Sequence, residues 1–229
     1  MNSIIEKITL YDFFGYLIPG SVFMSLLLVR LIQELGSDGL TDLKDFKSQL
    51  TVLFLLWSFL SGLILSELAR VISDFADKRG LKDRYVNSVK KTANIDGSML
   101  KEAIKKSKLV ENGDLIQNTD LLNYLPMIYG TVQSDEKYKR LHNYASSETM
   151  YKNLTAAVLL GGIPEILFLP QKLQCGIIAG IVVVWILSVI LLMRRYYRFR
   201  IKKSAYSLIW FIEKYQSCFT AEEQRGNEA

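Results

Sequence analysis

The stretch Leu173–Met193, which reads LQCGIIAGIVVVWILSVILLM, decides the fold class of this chain. It contains no charged residue and is followed directly by Arg194-Arg195. An α-helix rises about 1.5 Å per residue, so about 20 apolar residues cross the roughly 30 Å hydrocarbon core of a bilayer. The sequence therefore predicts a transmembrane helix that ends where the two arginines reach the lipid headgroups.

Three earlier segments have the apolar character of further spans, although the third is interrupted by Pro164 and Glu165. The first contains Pro19-Gly20. Because proline has no N–H, it leaves the carbonyl of Gly15 without its helical donor, and we expect a kink or short break that acts as a hinge. We predict an all-α protein built as a four-transmembrane-helix bundle with a small helical cytosolic domain. The three earlier spans are expected at about residues 13–35, 50–68 and 153–170.

Basic residues are distributed unequally between the two sides of these spans. Residues 70–153 contain fifteen lysines and arginines and the segment from Arg194 contains eight, whereas the short loops 36–49 and 171–174 contain three in all. The richer side is cytoplasmic by the positive-inside rule, so both termini are expected in the cytoplasm. The net charge of +5 is typical of this topology and of attraction to anionic lipid more than of nucleic-acid binding.

The polar segments divide the chain into four regions. The last region carries too many apolar side chains around Trp210 and Phe219 to face water on every side, so we expect it to pack on the second region as one domain. The regions are an interfacial helix with two spans at residues 1–72, a cytosolic helical insert at 73–150, two spans at 151–193, and a basic and aromatic tail helix at 194–229.

Local signals predict the helices of the insert. Ser98 caps one helix, and Pro126 stops a short one at residue 125. Ser134 opens a longer helix that runs through Gly161 into the third span, since no breaker intervenes. The helix of the fourth span is expected to continue to Phe219 for the same reason.

The sequence contains no pattern for catalysis, for a cofactor or for a metal. The GxSxG, HExxH, GxGxxG, CxxC and phosphate-loop motifs are absent, and a single histidine, His142, cannot form a histidine-based metal site. We interpret His142 as a partly solvated helix residue. The two cysteines, Cys175 and Cys218, are expected on opposite sides of the membrane. We therefore expect a non-enzymatic protein with no catalytic, cofactor-binding or metal site.

Small residues recur at helix-packing spacing in three of the spans. Such rows let two helix backbones approach closely where lipid removes the hydrophobic driving force. They can pack the spans of one bundle or form a subunit interface, and their number favours a homo-oligomer. The rows are Ser58, Gly62 and Ser66; Ala157 and Gly161; and Gly176 and Gly180.

Charged residues inside or next to the spans form two groups. Arg30 and Glu165 fall at the same depth near the outer boundary, where an unpaired charge is costly. Either Arg30 pairs with Glu165 or Glu34, or the charges repeat around an oligomer as a ring lining a conduit. At the inner boundary an Asp12–Arg70 pair and interfacial snorkelling are both open. The inner group comprises Asp12, Glu67 and Arg70.

Six basic residues interleave with aromatic residues directly after the fourth span. This arrangement under a membrane is typical of binding to anionic lipid headgroups. Base stacking with phosphate contacts would use the same residue types, but the position next to the span favours lipid. The residues are Arg194, Arg195, Arg198, Arg200, Lys202 and Lys203.

The opening segment Tyr11–Gly20, YDFFGYLIPG, resembles the start of a loose group of small bacterial membrane proteins. Members of the group have an aspartate, then Gly-Tyr and Pro-Gly in the first of four spans, a helical insert and an aromatic-basic segment after the fourth span. Some are membrane accessory proteins of antiphage systems, including those that accompany RNA-targeting CRISPR effectors. The resemblance implies a location in the bacterial inner membrane and a role in defence or in regulating a neighbouring effector, and it carries over no catalytic residue.

Two function classes remain open from the sequence. The first is a homo-oligomeric pore-forming or membrane-perturbing effector gated from the cytosol, in which the charges and the small-residue rows build the assembly. The second is a non-conducting anchor or accessory protein that recruits or regulates a cytosolic effector protein, which the large cytosolic share favours. An intramembrane enzyme is the least supported class, because the spans offer few polar groups at one depth.

Overall fold

A computed structural model describes residues 13–35, 47–76, 82–95, 97–107, 118–133, 135, 140–167 and 175–226. Within them the fold is all-helical, without a strand. Asp12, the predicted interfacial helix and Ser134 lie outside the described residues. The chain has a π-helical turn at Phe13–Leu17, followed by α1 (Ile18–Leu35), α2 (Lys47–Ala76), α3 (Lys82–Ala93), α4 (Gly97–Lys106), α5 (Asn118–Gln133), α6 (Arg140–Leu167) and α7 (Cys175–Gly226).

The helices form two compact units. Unit 1 consists of Met1–Ala76 and Ser146–Tyr197, and unit 2 of Asp77–Ala145 and Arg198–Ala229. Both α6 and α7 contribute residues to each unit, because the boundaries after Ala145 and Tyr197 fall inside these two helices. The sequence predicted divisions after residues 72, 150 and 193, and the chain passes from one unit to the other after residues 76, 145 and 197.

Unit 1 exposes apolar side chains over most of its described surface. Among the described residues, every exposed large apolar side chain of the protein lies in unit 1 except Met99 and Met127. Three helical segments in the described part are long and apolar enough to cross a membrane: Phe13–Ile32, Ser48–Phe75 and Gly176–Tyr215. The third predicted span, which belongs to α6, does not meet the same criterion.

Unit 2 has a hydrophobic core of its own. Val89 of α3, Ile128 of α5 and Phe211 of α7 are each fully buried in one cluster. Ala103 of α4 and Leu141 at the start of α6 belong to the same cluster. The expected packing of the tail helix on the insert is therefore present, with α7 contributing one apolar face to it. That face consists of Ala205, Leu208, Phe211 and Ile212.

Two local predictions about helix ends were wrong. Pro126 does not stop a helix, because α5 continues through it to Gln133. Burial of Ile128 and Val132 beyond the proline stabilises by about 1.5–3 kcal/mol each, which offsets the roughly 3 kcal/mol cost of an interior proline. Asp135 does not lie in a helix; its N–H donates to the carbonyl of Val132 at 3.2 Å and so closes the end of α5.

The predictions for the lengths of α6 and α7 were confirmed in the described residues. From Arg140, α6 is one helix that passes through Gly161 to Leu167. Helix α7 extends well past Met193 and Phe219 to Gly226. The absence of glycine and proline between Gly180 and Gly226 allows this length, since nothing in that stretch breaks the backbone hydrogen bonds.

Candidate functional site

The interior of unit 1 is built around α6, which is buried on several of its sides. Asn153, Ala157 and Gly161 follow one another at four-residue spacing along one face of the helix. Ala156 and Gly162 are also buried and extend the covered surface around it. Small side chains at these positions let the neighbouring helices approach closely.

A polar contact joins this face to the first helical segment. The side-chain amide of Asn153 donates through Nδ2 to the carbonyl of Gly15 at 2.8 Å, and Asn153 is fully buried. Gly15 lies in the π-helical turn, four residues before Pro19. Proline cannot supply the N–H that this carbonyl would accept in a regular helix, so Asn153 supplies a donor in its place. The expected irregularity near Pro19-Gly20 thus takes the form of the π-helical turn at Phe13–Leu17, called the π-turn below. A side chain from α6 supplies the donor that its Gly15 carbonyl lacks.

Two glycines bring α2 against the first helical segment. A Cβ atom on Gly20 would collide with the backbone carbonyl of Ser58, and a Cβ on Gly62 would collide with the backbone of Tyr16. The Ser61 hydroxyl lies within this contact and donates to the carbonyls of Ser58 at 3.0 Å and Gly20 at 3.4 Å. Two backbones meet here with no room for a methyl group, so the Ser58–Gly62 row packs inside the protomer.

Helix α6 also contacts α1 and α7 through adjacent glycines. A Cβ on Gly161 would lie 2.7 Å from Cδ1 of Leu26 in α1. A Cβ on Gly162 would overlap the indole ring of Trp185 in α7. The Trp185 indole Nε1–H donates to the carbonyl of Val158 at 2.8 Å, so the space at Gly162 is occupied by a hydrogen-bonded tryptophan. Ala156 and Ala157 meet Leu65 and Ala69 of α2 in the second apolar cluster.

The other end of unit 1 carries polar contacts. The hydroxyls of Ser73 in α2 and Tyr196 in α7 form a buried hydrogen bond of 2.7 Å. Beside it is a recess of about 10 Å³, close to the space that one water molecule requires. Its walls come from α2, α6 and α7, and they include Lys152, Thr155 and Met193.

The predicted charged groups have the following positions. Arg30 near the end of α1 and Glu165 near the end of α6 are both half-buried, and their pairing stays a prediction. Arg70 pairs with Glu67 at 3.2 Å one helical turn away, and both side chains are largely exposed. Such an exposed pair contributes little to stability, and the position of these charges at the inner membrane boundary stays a prediction.

The six basic residues after the fourth predicted span differ in their surroundings. Arg194, Arg195 and Arg198 are exposed. The guanidinium carbon of Arg200 lies 4.5 Å from the centre of the Tyr85 ring, and Nζ of Lys203 lies 5.3 Å from the centre of the Tyr129 ring. Those two cations are held in cation–π contacts within unit 2. Lys202 is half-buried.

The remaining small residues do not take part in the tight contacts. A Cβ on Gly176 or Gly180 would meet no atom within 4 Å, so this pair faces open space on α7. Ser66 is half-buried on α2. Of the three predicted rows, two therefore close contacts inside unit 1, and the third is exposed.

Several residues at these contacts were not singled out from the sequence. Asn153 and Trp185 were not identified as helix-packing residues, and Ser73 and Tyr196 were not recognised as partners. The freed carbonyl of Gly15 was a usable signal, since a buried acceptor requires a donor and Asn153 is the amide at the start of the third apolar segment. Trp185 and Gly162 had no such signal, because their distance in space depends on how α6 and α7 pack.

Unit 2 contains an aromatic cluster near the surface. The rings of Tyr144 and Tyr206 stack with centroids 5.2 Å apart and planes 10° apart, and Trp210 lies 5.5 Å from Tyr206. Partial burial raises the pKa of Tyr144, the neighbouring Tyr206 raises it further, and Arg140 opposes the shift. His142 is half-buried on the same helix, in agreement with its interpretation as a partly solvated residue.

No protein-family model, curated protein or solved structure matches this chain. In the described residues, no group of three or more histidine, cysteine, aspartate or glutamate side chains could hold a metal ion.

Proposed function

We propose that the chain is a four-span inner-membrane protein in which α6 is a span and unit 2 is a cytosolic module. The observation that carries this proposal is the shared core of unit 2. Residues 77–145 and the end of α7 pack in one hydrophobic cluster, so both lie on the same side of the membrane. Between residues 145 and 198, the chain passes along α6 and then along the first part of α7. If α7 crosses once, α6 must also cross for the chain to return to that side.

The position of α6 in unit 1 supports the same topology. Helix α6 touches the π-turn through Asn153, α1 through Gly161, α2 through Ala157 and α7 through Gly162. A span enclosed by other spans meets little lipid, so it needs few large apolar side chains and tolerates small and polar ones. The composition that keeps α6 below the hydropathy criterion is thus what its central position predicts.

The two native cysteines provide a direct test of this topology. Cys175 is the first residue of α7 and Cys218 lies near its end. We would express the Cys218→Ser variant, the Cys175→Ser variant, and Lys91→Cys in a background lacking both cysteines. Each would be treated with a membrane-impermeant maleimide before and after lysis of spheroplasts.

The four-span topology predicts labelling of Cys175 from outside intact spheroplasts. Position 218 and position 91 should react only after lysis, because both belong to unit 2. Labelling of positions 91 and 218 from opposite sides would show that α6 does not cross, and the four-span proposal would then be abandoned.

The role that this geometry favours is a non-enzymatic, non-conducting anchor that holds a cytosolic effector protein at the membrane. Ser58, Ser61, Asn153 and Thr155 are buried inside unit 1, so these polar groups of the spans face the protomer interior. Met99 and Met127 are exposed on unit 2, whose other described large apolar side chains are buried or half-buried. Flexible methionines on a polar surface suit the binding of a partner protein.

Recruitment can be tested on the full-length protein extracted from native membranes. We expect a soluble protein to co-purify in a fixed ratio with the wild type and to be lost from the Met99→Ser/Met127→Ser variant. The matched control is Lys91→Gln/Lys105→Gln, which alters two exposed residues of the same unit and should retain the partner. If no protein depends on the methionines, the anchoring role fails while the four-span topology still stands.

A homo-oligomeric pore or membrane-perturbing effector is the second candidate. Arg30 and Glu165 favour it, because both are half-buried within apolar segments. Ionisable residues are costly in such segments, and those that occur there often line an ion pathway. The exposed Gly176–Gly180 pair would be its subunit contact. Ion flux through liposomes containing the purified protein tests this candidate. Flux that is abolished by Arg30→Ala/Glu165→Ala would favour the pore, and an impermeable protein would favour the anchor.

The resemblance of the Tyr11–Gly20 segment adds a biological setting to the proposal. It suggests that the recruited effector belongs to an antiphage system of a bacterium. A phage challenge with and without the gene, in a host carrying its neighbouring genes, tests this setting. Equal phage titres in both strains would argue against a defence role and leave the membrane topology unaffected.

A further inference from the structure

One exposed face of α7 changes from apolar to basic within two helical turns. Leu187 and Leu191 are exposed, and Arg194 and Arg195 are exposed after them. Steps of four and three residues place Leu187, Leu191 and Arg194 on the same side of the helix, with Arg195 next to them. All four residues belong to unit 1.

The change occurs at the level where the neighbouring helices also become polar. The Ser73–Tyr196 hydrogen bond and Lys152 lie beside Met193, which directly precedes the two arginines. From Leu187 to Arg195 the helix rises about 12 Å, which is long enough to pass from the acyl-chain region into a headgroup layer about 5–8 Å thick. The arginines therefore stand where the phosphates of a bilayer would be.

We propose that Arg194 and Arg195 bind the phosphate of an anionic glycerophospholipid whose acyl chain lies along Leu187 and Leu191. The inference rests on the proposed membrane topology and adds a ligand site to it. A guanidinium group offers a planar fork of N–H donors that matches two phosphate oxygens. Exposed arginines on the apolar-to-basic face can make this contact without giving up an existing one in unit 2.

The structure separates these two arginines from Arg200 and Lys203, which were also predicted to bind lipid. Arg200 and Lys203 lie over the rings of Tyr85 and Tyr129, so a lipid would compete with contacts inside unit 2. A soluble phosphate would use the arginines but gain nothing from Leu187 and Leu191. The adjacency of apolar and basic side chains on one face therefore favours a lipid over a free anion.

The test is a lipid titration of the full-length protein in detergent micelles, followed by native mass spectrometry. The ligands are phosphatidylglycerol, phosphatidylcholine with the same acyl chains, and soluble glycerol 3-phosphate. We expect half of the protein to carry phosphatidylglycerol at a lipid concentration about 10-fold lower than the concentration required for phosphatidylcholine. We expect no bound glycerol 3-phosphate. Two basic side chains near an anionic headgroup correspond to a roughly 30-fold loss of affinity when both are neutralised in Arg194→Gln/Arg195→Gln.

The control variant is Lys91→Gln/Lys105→Gln, which removes the same charge from unit 2 and should bind phosphatidylglycerol like the wild type. A second control is the thermal unfolding of each variant in phosphatidylcholine nanodiscs, which should be unchanged because all four side chains are exposed. Equal binding of the two lipids by the wild type, or equal losses in the two variants, would overturn the lipid site. A protein that remains soluble without detergent would instead overturn the membrane topology, so the two failures are distinguishable.

Discussion

Units 1 and 2 of this protein are packed in opposite ways. Among the described residues, unit 1 buries mostly glycine, alanine, serine and asparagine, with Leu65 and Tyr196 as large exceptions, and it exposes many large apolar side chains. Unit 2 has leucine, isoleucine, valine and phenylalanine inside, and its described exterior is mostly polar. Apolar burial drives folding only where water is the alternative, and close approach and hydrogen bonding do so where lipid is. The difference is what we expect if unit 1 is surrounded by lipid and unit 2 by water, as proposed above.

The largest expected effect comes from placing a charge on equally exposed positions of the two units. Ile64 in α2 and Met127 in α5 are 63% and 55% exposed. Ile64→Lys should reduce membrane insertion by about 3 kcal/mol, since the position is near the middle of an apolar helix. Met127→Lys should change stability by no more than about 0.5 kcal/mol. Membrane insertion is measured as the fraction of protein that resists extraction with carbonate, and stability is measured by thermal unfolding.

If both lysine substitutions are tolerated equally, the two units do not have different solvents and the comparison fails. The Ile64→Leu variant is the control for the effect of any substitution at this position, because it keeps an apolar side chain there. It should insert like the wild type.

A methyl group added to a glycine of α2 should have the next largest effect. Gly62→Ala forces a Cβ atom against the backbone of Tyr16, and we expect a loss of about 1–3 kcal/mol in the free energy of unfolding in mixed micelles. Gly180→Ala, on the open face of α7, meets no atom within 4 Å and should be neutral or stabilising by up to about 1 kcal/mol. Equal effects of the two changes would contradict the close approach of α2 to the π-turn.

Removal of the Asn153 amide should have a smaller effect. Asn153→Ala leaves the carbonyl of Gly15 buried without its donor, which costs about 1–2 kcal/mol. Asn153→Gln retains an amide and Asn153→Leu retains the volume, so the pair separates hydrogen bonding from packing. Amide hydrogen exchange in residues 13–20 should increase in the alanine and leucine variants. Unchanged exchange there would mean that Asn153 does not hold the π-turn.

The smallest effect concerns pH and unit 2. Because the folded state raises the pKa of Tyr144 above its ordinary value of 10.0, the folded state holds this proton more tightly than the unfolded state does. The corresponding stability is present below pH 10 and is lost as pH rises through the folded pKa. The thermal unfolding temperature of the wild type should therefore fall above about pH 10, and it should fall by slightly more than that of Tyr144→Phe. A steeper decline in the phenylalanine variant would show that the shift has the opposite sign.

Sequence patterns identified most helices because run length and breakers are local properties. The apolar run 173–193 and the absence of later glycines indicated α7, and Ser98 indicated the start of α4 within one residue. Pro126 was misread because burial of Ile128 and Val132 on unit 2 offsets its local cost. Hydropathy marked the segment in α6 as the least apolar of the four predicted spans, because hydropathy records side chains and does not record which neighbours enclose them.

The candidate site was less accessible from sequence than the helices. Rows of small residues predicted close helix packing, yet nothing in them distinguished Gly62, which meets a backbone, from Gly180, which faces open space. The basic segment predicted lipid contact for six residues, whereas two of them lie over aromatic rings of unit 2. These outcomes depend on which face of a helix meets its neighbour.

The sequence alone determined that apolar helices of membrane length alternate with basic segments, because hydrocarbon thickness and residue hydrophobicity are independent of the fold. Only the tertiary structure decided that Asn153 satisfies the carbonyl left open by Pro19, and that the insert and the end of α7 share one core. Asn153 and Gly15 are 138 residues apart in the chain, and the insert is joined to the end of α7 only through two long helices. Such contacts follow from packing in three dimensions, which a one-dimensional pattern does not specify.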